Sequence, residues 1–143
     1  MATNISKLTI QATPQRVWDA ITKPEMVKKW QFGSDLLTDW KVGEAIRFKT
    51  AWEGQIFEQW GTVLEYEPIL RLKYSLFAPR PDLEESPENY FEMEYKLTER
   101  GTETILEIIQ EDNRHGAKQE EEQGEENAML RNLKTIIESE LSH

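Results

Sequence analysis

The spacing of the apolar residues constrains the fold of this chain more than any other feature. Between about residue 36 and residue 110, large side chains recur at every second position. The clearest runs are Ile46, Phe48, Thr50 and Trp52, then Leu70, Leu72, Tyr74 and Leu76, and then Phe91, Met93, Tyr95 and Leu97. Successive side chains of a strand point to opposite sides of a sheet, so this alternation predicts strands with one apolar face.

Six strands are predicted in this region, at residues 36–40, 45–52, 55–66, 70–77, 90–97 and 102–110. Residues that favour turns lie between them, including Gly43, Gly54, Pro68 and Gly101. Residues 78–89 carry three prolines and four acidic residues, which is typical of a loop between two strands. The middle of the chain therefore predicts an antiparallel sheet.

The first part of the chain predicts one strand and two short helices. Residues 4–12 alternate imperfectly and form the predicted strand. Thr13 and Pro14 then supply an N-cap and a proline at the first helical position, so a helix begins here. Pro24 ends that helix, because the residue before a proline avoids the α region. A second short helix begins at Pro24 and ends at Trp30.

The last part of the chain predicts one long helix at residues 118–141. It contains no proline, and its apolar residues are three and four positions apart, as on one side of a helix. They are Met129, Leu130, Leu133, Ile136, Ile137 and Leu141. Five glutamates fall between residues 120 and 126, where the dipole of such a helix stabilises negative charge. Met129, Leu133 and Ile137 are expected to face the sheet.

A sheet with one apolar face needs a cover, and the terminal helix supplies an apolar stripe of matching length. The fold class predicted from the order of elements is α+β. It comprises an antiparallel sheet of six to seven strands, two short helices after the first strand, and a long C-terminal helix. At 143 residues, the chain has the size of one domain, which we expect to span residues 1–143.

The charge of the chain limits its partners. Seventeen basic and 27 acidic residues give a net charge of −10, which repels nucleic acid and anionic lipid surfaces. The local basic cluster of Lys23, Lys28 and Lys29 is typical of the solvated face of a short helix. No secretory signal and no stretch of about 20 apolar residues is present. We expect no nucleic-acid partner, no membrane span and a cytoplasmic location.

Few residues of this sequence indicate catalysis. The chain has no cysteine, which excludes disulfides, zinc–thiolate sites and thiol nucleophiles. His115 and His143 lack the helical partner of a metal-binding motif, and no nucleophile-elbow or phosphate-loop motif occurs. Asp35, Glu58 and Glu65 remain weak candidates for a general base. No catalytic residue, metal or cofactor is predicted.

Several segments of the sequence resemble one known family. They are PQRVWDA at residues 14–20, Lys29-Trp30, DWKVG at 39–43, GTVLEYEP at 61–68, and Leu72-Lys73-Tyr74. Together they resemble the Hsp90-ATPase-activator-homologue family of the START-like superfamily, also called SRPBCC or birch-allergen-like. The resemblance spans essentially the whole chain. It implies a helix-grip fold, in which a curved sheet wraps around the C-terminal helix and leaves a cavity between them.

One segment departs from the family pattern. Members of the family often carry a Gly-Trp pair shortly before the Leu-x-x-Leu of the last helix. Glu125 and Glu126 occupy that place here, ahead of Leu130 and Leu133. Contacts made by the family's tryptophan therefore do not carry over to this chain.

The large side chains on inward positions are the candidates for the cavity wall. Aromatic residues make up 10% of the chain and include five tryptophans, and aromatic walls commonly bury small ligands. Trp18 is assigned to the core, because it lies in the middle of a helix beside Val17. The predicted ligand-binding residues are Trp30, Phe48, Trp60, Tyr74, Met93, Met129 and Leu133. Among these, Trp60 belongs to a strand that is apolar on both faces.

Three hypotheses for the function follow. The first is a module that binds an apolar small molecule, either a lipid or an aromatic metabolite, between sheet and helix. The second is a chaperone-associated domain whose exposed face contacts an Hsp90-like ATPase. The third, less favoured, is a small cyclase or hydrolase that uses polar groups in the cavity. An enclosed apolar cavity, an exposed patch and a buried acid–base group would distinguish the three.

Overall fold

The computed structural model describes residues 2–31, 33–81, 83–114 and 116–140, apart from the side chains of Trp52 and Glu140. The elements follow the predicted order. They are β1 (Ala2–Ile10), α1 (Pro14–Thr22), α2 (Pro24–Trp30), β2 (Asp35–Thr38), β3 (Ala45–Trp52), β4 (Gln55–Glu67), β5 (Arg71–Leu76), a 3-10 turn (Pro87–Asn89), β6 (Phe91–Arg100), β7 (Glu103–Asp112) and α3 (Ala128–Glu140). The predicted α+β class is confirmed.

All seven strands form one antiparallel sheet in the order β1-β7-β6-β5-β4-β3-β2. From β2 to β7, strands that follow each other in the chain are neighbours in the sheet. The exception is β1, which crosses to the far edge and pairs with β7, with Leu8 opposite Leu106. At the other edge β2 pairs with β3, with Leu36 opposite Phe48. Among the described residues, no helix is long and apolar enough to cross a membrane.

The two short helices are built by the residues that predicted them. The Thr13 hydroxyl accepts a hydrogen bond from the Arg16 backbone N–H at 3.3 Å, which caps α1. Val17 and Trp18 are buried in the core, as predicted for Trp18. The Trp30 indole N–H donates to the Ala20 carbonyl at 2.8 Å, so the end of α2 is tied to α1.

The sheet and helices enclose a core of aliphatic and aromatic side chains. Its most deeply buried members include Leu8, Ile10, Val17, Val27, Ile46, Val63, Leu72, Leu106, Leu133 and Ile137. The members from the strands lie at alternate positions, so the inner face of the sheet is the one that α3 covers. Burial of this apolar surface is the main stabilising contribution to the fold.

The C-terminal helix is shorter than the sequence predicts. The prediction of helix from residue 118 is wrong, because α3 begins at Ala128; Leu141 lies outside the described residues. Instead, the Lys7 N–H donates to the Gln123 carbonyl at 2.8 Å, and the Gln123 N–H donates to the Ile5 carbonyl at 3.0 Å. The chain before α3 therefore runs beside β1 in extended form.

The true start of α3 has a physical cause. The Asn127 side-chain oxygen accepts from the backbone N–H groups of Met129, at 3.0 Å, and Leu130, at 3.2 Å, which makes Asn127 the N-cap. Gly124 stands just before it and disfavours a helix. A helix over residues 120–126 would also crowd five glutamates onto two turns.

The inward side of α3 is less covered at its first turn than further along the helix. Leu133 and Ile137 face the sheet as predicted, and both are fully buried. Leu130 is buried with them, whereas the Met129 side chain remains 38% exposed. Met129 nevertheless lies beside residues of the inner face such as Phe48 and Tyr74, so it is on the predicted side of the helix. Because the helix starts at Ala128, Met129 lies in its first turn, at the edge of the interface between α3 and the sheet.

The strands β4 and β5 approach each other closely at Gly61. A side chain on Gly61 would collide with the backbone carbonyl of Ser75. Beyond this point the pairing shifts register between Val63 and Glu65, an irregularity of the kind that bends a strand. Gly61 therefore permits the close approach of β4 to β5.

Candidate functional site

A cavity of about 440 Å³ lies between the inner face of the sheet, α2 and the first turn of α3. Small-molecule sites in proteins commonly have volumes of about 300–1,000 Å³. Eighteen residues line it: Ser6, Trp30, Gln31, Ser34, Phe48, Thr50, Phe57, Gln59, Tyr74, Leu76, Phe91, Met93, Tyr95, Ile108, Gln110, Asn127, Met129 and Leu130. Phe57 is 53% exposed and lies with Met129 where the cavity opens to solvent.

The strand alternation supplies most of the wall. Each of β3, β5, β6 and β7 contributes residues at every second position, such as Phe48 and Thr50 from β3. The rings of Phe48 and Tyr74 lie 5.7 Å apart, and those of Tyr74 and Tyr95 lie 6.1 Å apart. Such spacings are typical of favourable contacts between aromatic rings. The wall is therefore a connected set of rings held by regular strands.

Five of the residues predicted from the sequence come together at this cavity. They are Trp30, Phe48, Tyr74, Met93 and Met129. Trp30 is only 2% exposed, and its indole N–H is occupied by the Ala20 carbonyl. It therefore presents an apolar ring to the cavity and no free hydrogen-bond donor. Met129 is placed there by the late start of α3.

The other two predicted residues do not line the cavity. Trp60 lies opposite Arg47 on the outer face of the sheet. There its indole N–H donates to the Glu85 carboxylate at 2.9 Å, and its ring lies 5.5 Å from that of Phe77. Leu133 is fully buried in the core beyond the cavity. The strand β4 is apolar on both faces, so its pattern alone does not fix the direction of Trp60.

Several wall residues were not singled out from the sequence. Tyr95 belongs to the same alternating run as Met93, and that signal could have identified it. Gln110 and Asn127 gave no such signal, because polar residues near the ends of elements are usually solvated. Their position at the cavity depends on how β7 and α3 meet.

The hydroxyl groups of Tyr74 and Tyr95 form the most buried polar pair of the wall. Their oxygens are 3.4 Å apart, and neither has another hydrogen-bond partner among the described residues. Burial disfavours the charged phenolate, which raises the pKa of Tyr74 well above its usual value and raises that of Tyr95. Both side chains are therefore neutral hydrogen-bond donors over the physiological range.

The charged candidates for catalysis lie elsewhere. Asp35 pairs with Lys28 at 3.1 Å on the surface, Glu58 pairs with Arg47, and Glu65 accepts from Arg71. These carboxylates are absent from the described wall of the cavity. His115 and His143 lie outside the described residues. No cluster suited to binding a metal occurs within the described part of the chain.

Charged groups do occur just outside the wall. Arg114 lies over the Phe91 ring at 4.5 Å, but its guanidinium binds both carboxylate oxygens of Asp112. This hydrogen-bonded pairing lowers the pKa of Asp112. Glu120 and Glu121 line a neighbouring cleft under the extended segment before α3. Arg80 and Lys118 line a second cleft, which shares Gln110 with the cavity. The cavity is thus bordered by charges of both signs.

Known proteins share this architecture. A protein from Cytophaga hutchinsonii, solved in solution, is 31% identical, covers 100% of this chain and 98% of its own, and superposes with a TM-score of 0.75. A crystal structure from Chromobacterium violaceum is 23% identical over 95% of this chain and 96% of its own, with a TM-score of 0.75. The Aha1 dimer from Colwellia psychrerythraea is 18% identical over 96% and 97%, with a TM-score of 0.66.

The similarity extends to a defined sequence family. No protein with a curated description is significantly similar in sequence. The sequence profile described as activator of Hsp90 ATPase homolog 1-like protein matches residues 11–138, which include both short helices, β2 to β7 and most of α3. The chain therefore belongs to the activator of Hsp90 ATPase homolog 1-like family.

Proposed function

We propose that this protein binds an apolar, ring-containing small molecule in the cavity between the sheet and α3. The observation that carries the proposal is the cavity itself, about 440 Å³ with aromatic side chains from α2, β3, β5 and β6 in its wall. Rigid rings on regular strands cannot collapse to fill such a space, and they match flat ligands. The family resemblance, which implies a sheet–helix cavity, supports the same function.

The wall also indicates what the site does with its ligand. Its described residues include no carboxylate, histidine or amine that could transfer a proton at neutral pH. Such a site holds a molecule without transforming it. Drug-sized ligands gain about −0.3 kcal/mol per heavy atom, so a ligand of about 20 heavy atoms is expected to bind with a Kd of tens of micromolar.

The test is a titration with Nile red, a neutral ring-containing dye. We expect the dye emission to rise and shift to the blue on binding, and the emission from Trp30 to change because its ring lines the cavity. Met93→Trp should weaken binding at least tenfold, because the larger side chain would extend from β6 into the cavity and occupy the space of the dye. The absence of micromolar binding to the wild-type protein would refute the proposal.

A matched pair of surface variants controls for non-specific adsorption of the dye. Met129→Ala removes a 38% exposed side chain at the cavity opening, and Leu37→Ala removes a 46% exposed one on β2, outside the wall. Only Met129→Ala should change the affinity for Nile red. Equal effects of the two variants would mean that the dye binds to exposed apolar surface.

A second candidate function is contact with a protein of the Hsp90 ATPase type. The observation that favours it is the exposure of Ile56, 73%, and Leu37, 46%, on a sheet whose edge strand β2 is only four residues long. Arg47 and Lys49 alternate with these residues on the outer face and would suit an acidic partner. The structural relative from Colwellia is itself a dimer, so a second copy is another partner to be tested.

Isothermal titration with an Hsp90-type ATPase and sedimentation equilibrium of the protein alone would test this second candidate. If the outer face is an interface, Ile56→Asp and Leu37→Asp should weaken association at least tenfold without changing the binding of Nile red. A monomer without measurable affinity for the ATPase would exclude this role.

A further inference from the structure

The described wall of the cavity carries no charge, although 31% of the residues of the chain are charged. None of the eighteen lining residues is Asp, Glu, Lys, Arg or His. A charged group moved from water into such a site loses its hydration without gaining a counter-charge, which costs several kcal/mol. The cavity therefore selects against charged ligands.

Two pairs of hydroxyl groups lie in the wall, and they differ in how well they are satisfied. The Ser34 hydroxyl is 2.8 Å from that of Thr50 and 2.9 Å from the Gln31 carbonyl. With Thr50 donating to Ser34 and Ser34 donating to the carbonyl, both protons are used. This pair has no proton left for a ligand.

The pair formed by Tyr74 and Tyr95 has a proton to spare. Two hydroxyl groups that share one hydrogen bond use one of their two protons, so the other stays free. Their separation of 3.4 Å is also longer than the range of about 2.5–3.0 Å for a good O–H···O bond. A buried donor without a strong acceptor costs free energy, and an acceptor on the ligand would remove that cost.

We propose that the ligand is an uncharged ring compound with a carbonyl or ether oxygen, and that this oxygen accepts the free proton of the Tyr74–Tyr95 pair. This inference rests on the proposed function, because it describes the ligand of the same cavity. The tyrosine that accepts within the pair is polarised by that bond and becomes a better donor. The remaining rings of the wall pack against the ligand's apolar part.

A series of naphthalene probes of nearly equal shape tests the proposal. Ligand-detected NMR titration would compare 2-acetylnaphthalene, 2-isopropylnaphthalene, 2-naphthoate and a 2-naphthyl trimethylammonium ion. One hydrogen bond contributes about 1 kcal/mol, so the ketone should bind about fivefold more tightly than the hydrocarbon. The naphthoate should bind at least tenfold more weakly than the ketone.

Three variants locate the donor. The double variant Tyr74→Phe, Tyr95→Phe should abolish the preference for the ketone and leave the affinity for 2-isopropylnaphthalene within about twofold. Either single variant retains one hydroxyl proton and should keep part of the preference. Tyr90→Phe is the matched control, since the Tyr90 hydroxyl donates to Glu85 on the outer face. Thermal unfolding of each variant establishes that it is folded.

The outcomes separate this inference from the proposed function. If no probe binds, the proposed function fails and the inference fails with it. If the hydrocarbon binds as tightly as the ketone, or the double variant keeps the ketone preference, the inference is overturned while the cavity remains a binding site. Tighter binding of the naphthoate or of the trimethylammonium ion than of the ketone would likewise overturn it.

Discussion

The two ends of α3 meet the sheet in different ways. From the middle of the helix towards its C-terminal end, Leu133 and Ile137 are completely covered, and the Lys134 ammonium donates to the Thr9 carbonyl at 2.8 Å. We call this region the closed end. At the N-terminal end, Met129 is partly exposed and the helix borders the cavity beside Phe48. We call this region the open end.

The difference lies in the kind of side chain that each end presents. Flexible aliphatic chains such as Leu8 and Leu106 can adjust and fill the closed end to the density of a protein core. At the open end, the rings of Trp30 and Tyr74 are stiff and are held by backbone elements that do not approach one another. One helix therefore serves both as a structural cover and as part of the cavity wall, with stability concentrated at one end.

The largest expected effect tests the closed end directly. Leu133→Ala should lower the free energy of unfolding by about 2–5 kcal/mol, because it leaves a void among fully buried side chains. Met129→Ala, four residues earlier on the helix, should lower it by less than about 1 kcal/mol. Chemical denaturation followed by circular dichroism measures both. Equal effects would show that the two ends do not differ in packing.

A substitution at Gly61 should have the next largest effect on stability. Gly61→Ala places a methyl group against the Ser75 carbonyl, which forces the strands β4 and β5 apart and should cost about 1–3 kcal/mol. The open end should suffer most, so the affinity for Nile red should fall together with the denaturation midpoint. Thr62→Ala, at the next position, is the control. Unchanged stability of Gly61→Ala would contradict the proposed close approach.

The helix caps give a smaller and more local effect. Asn127→Ala removes the N-cap at the open end of α3 and should cost about 1 kcal/mol. Thr13→Ala removes the cap of α1 and should cost a similar amount. Hydrogen exchange should then show faster exchange of the Met129 and Leu130 amides only in the Asn127 variant. Identical exchange in the two variants would mean that Asn127 does not fix the start of α3.

The tyrosine pair should make the stability of the fold decline in alkali. Burial raises the pKa of both Tyr74 and Tyr95 in the folded state. The contribution of the two hydroxyl groups to the free energy of unfolding is therefore complete below the pKa of an unfolded tyrosine, about 10. It is lost as the pH rises above that value. The double variant Tyr74→Phe, Tyr95→Phe should show a weaker decline above pH 10 in thermal unfolding. An equal decline would indicate that the pair is not buried.

Local sequence signals predicted the elements well. Thr13-Pro14 and Pro24 act through the conformation of a few neighbouring residues, so the two helices begin where they were predicted to begin. The alternation in β3, β5 and β6 likewise determined which residues face inward. The same reasoning placed Trp30, Phe48, Tyr74 and Met93 together at the cavity wall.

Contacts between residues remote in the chain decided where α3 starts and which way Trp60 points. The segment at residues 118–127 contains no proline and was predicted to be helical, but it pairs with β1 through Gln123 and leaves α3 to start at the Asn127 cap. Trp60 could point either way on a strand that is apolar on both faces, and its pairing with Arg47 of β3 and with Phe77, just after β5, directs it outward.

The sequence by itself determined the order of elements and the inward face of most strands, because helix caps, proline and alternation act over a few residues. Only the tertiary structure decided that rigid rings from α2, β3, β5 and β6 stand far enough apart to leave a cavity. It alone also decided that Tyr74 and Tyr95 share one weak hydrogen bond there. Both depend on distances between strands that are remote in the chain, and no local pattern encodes those distances.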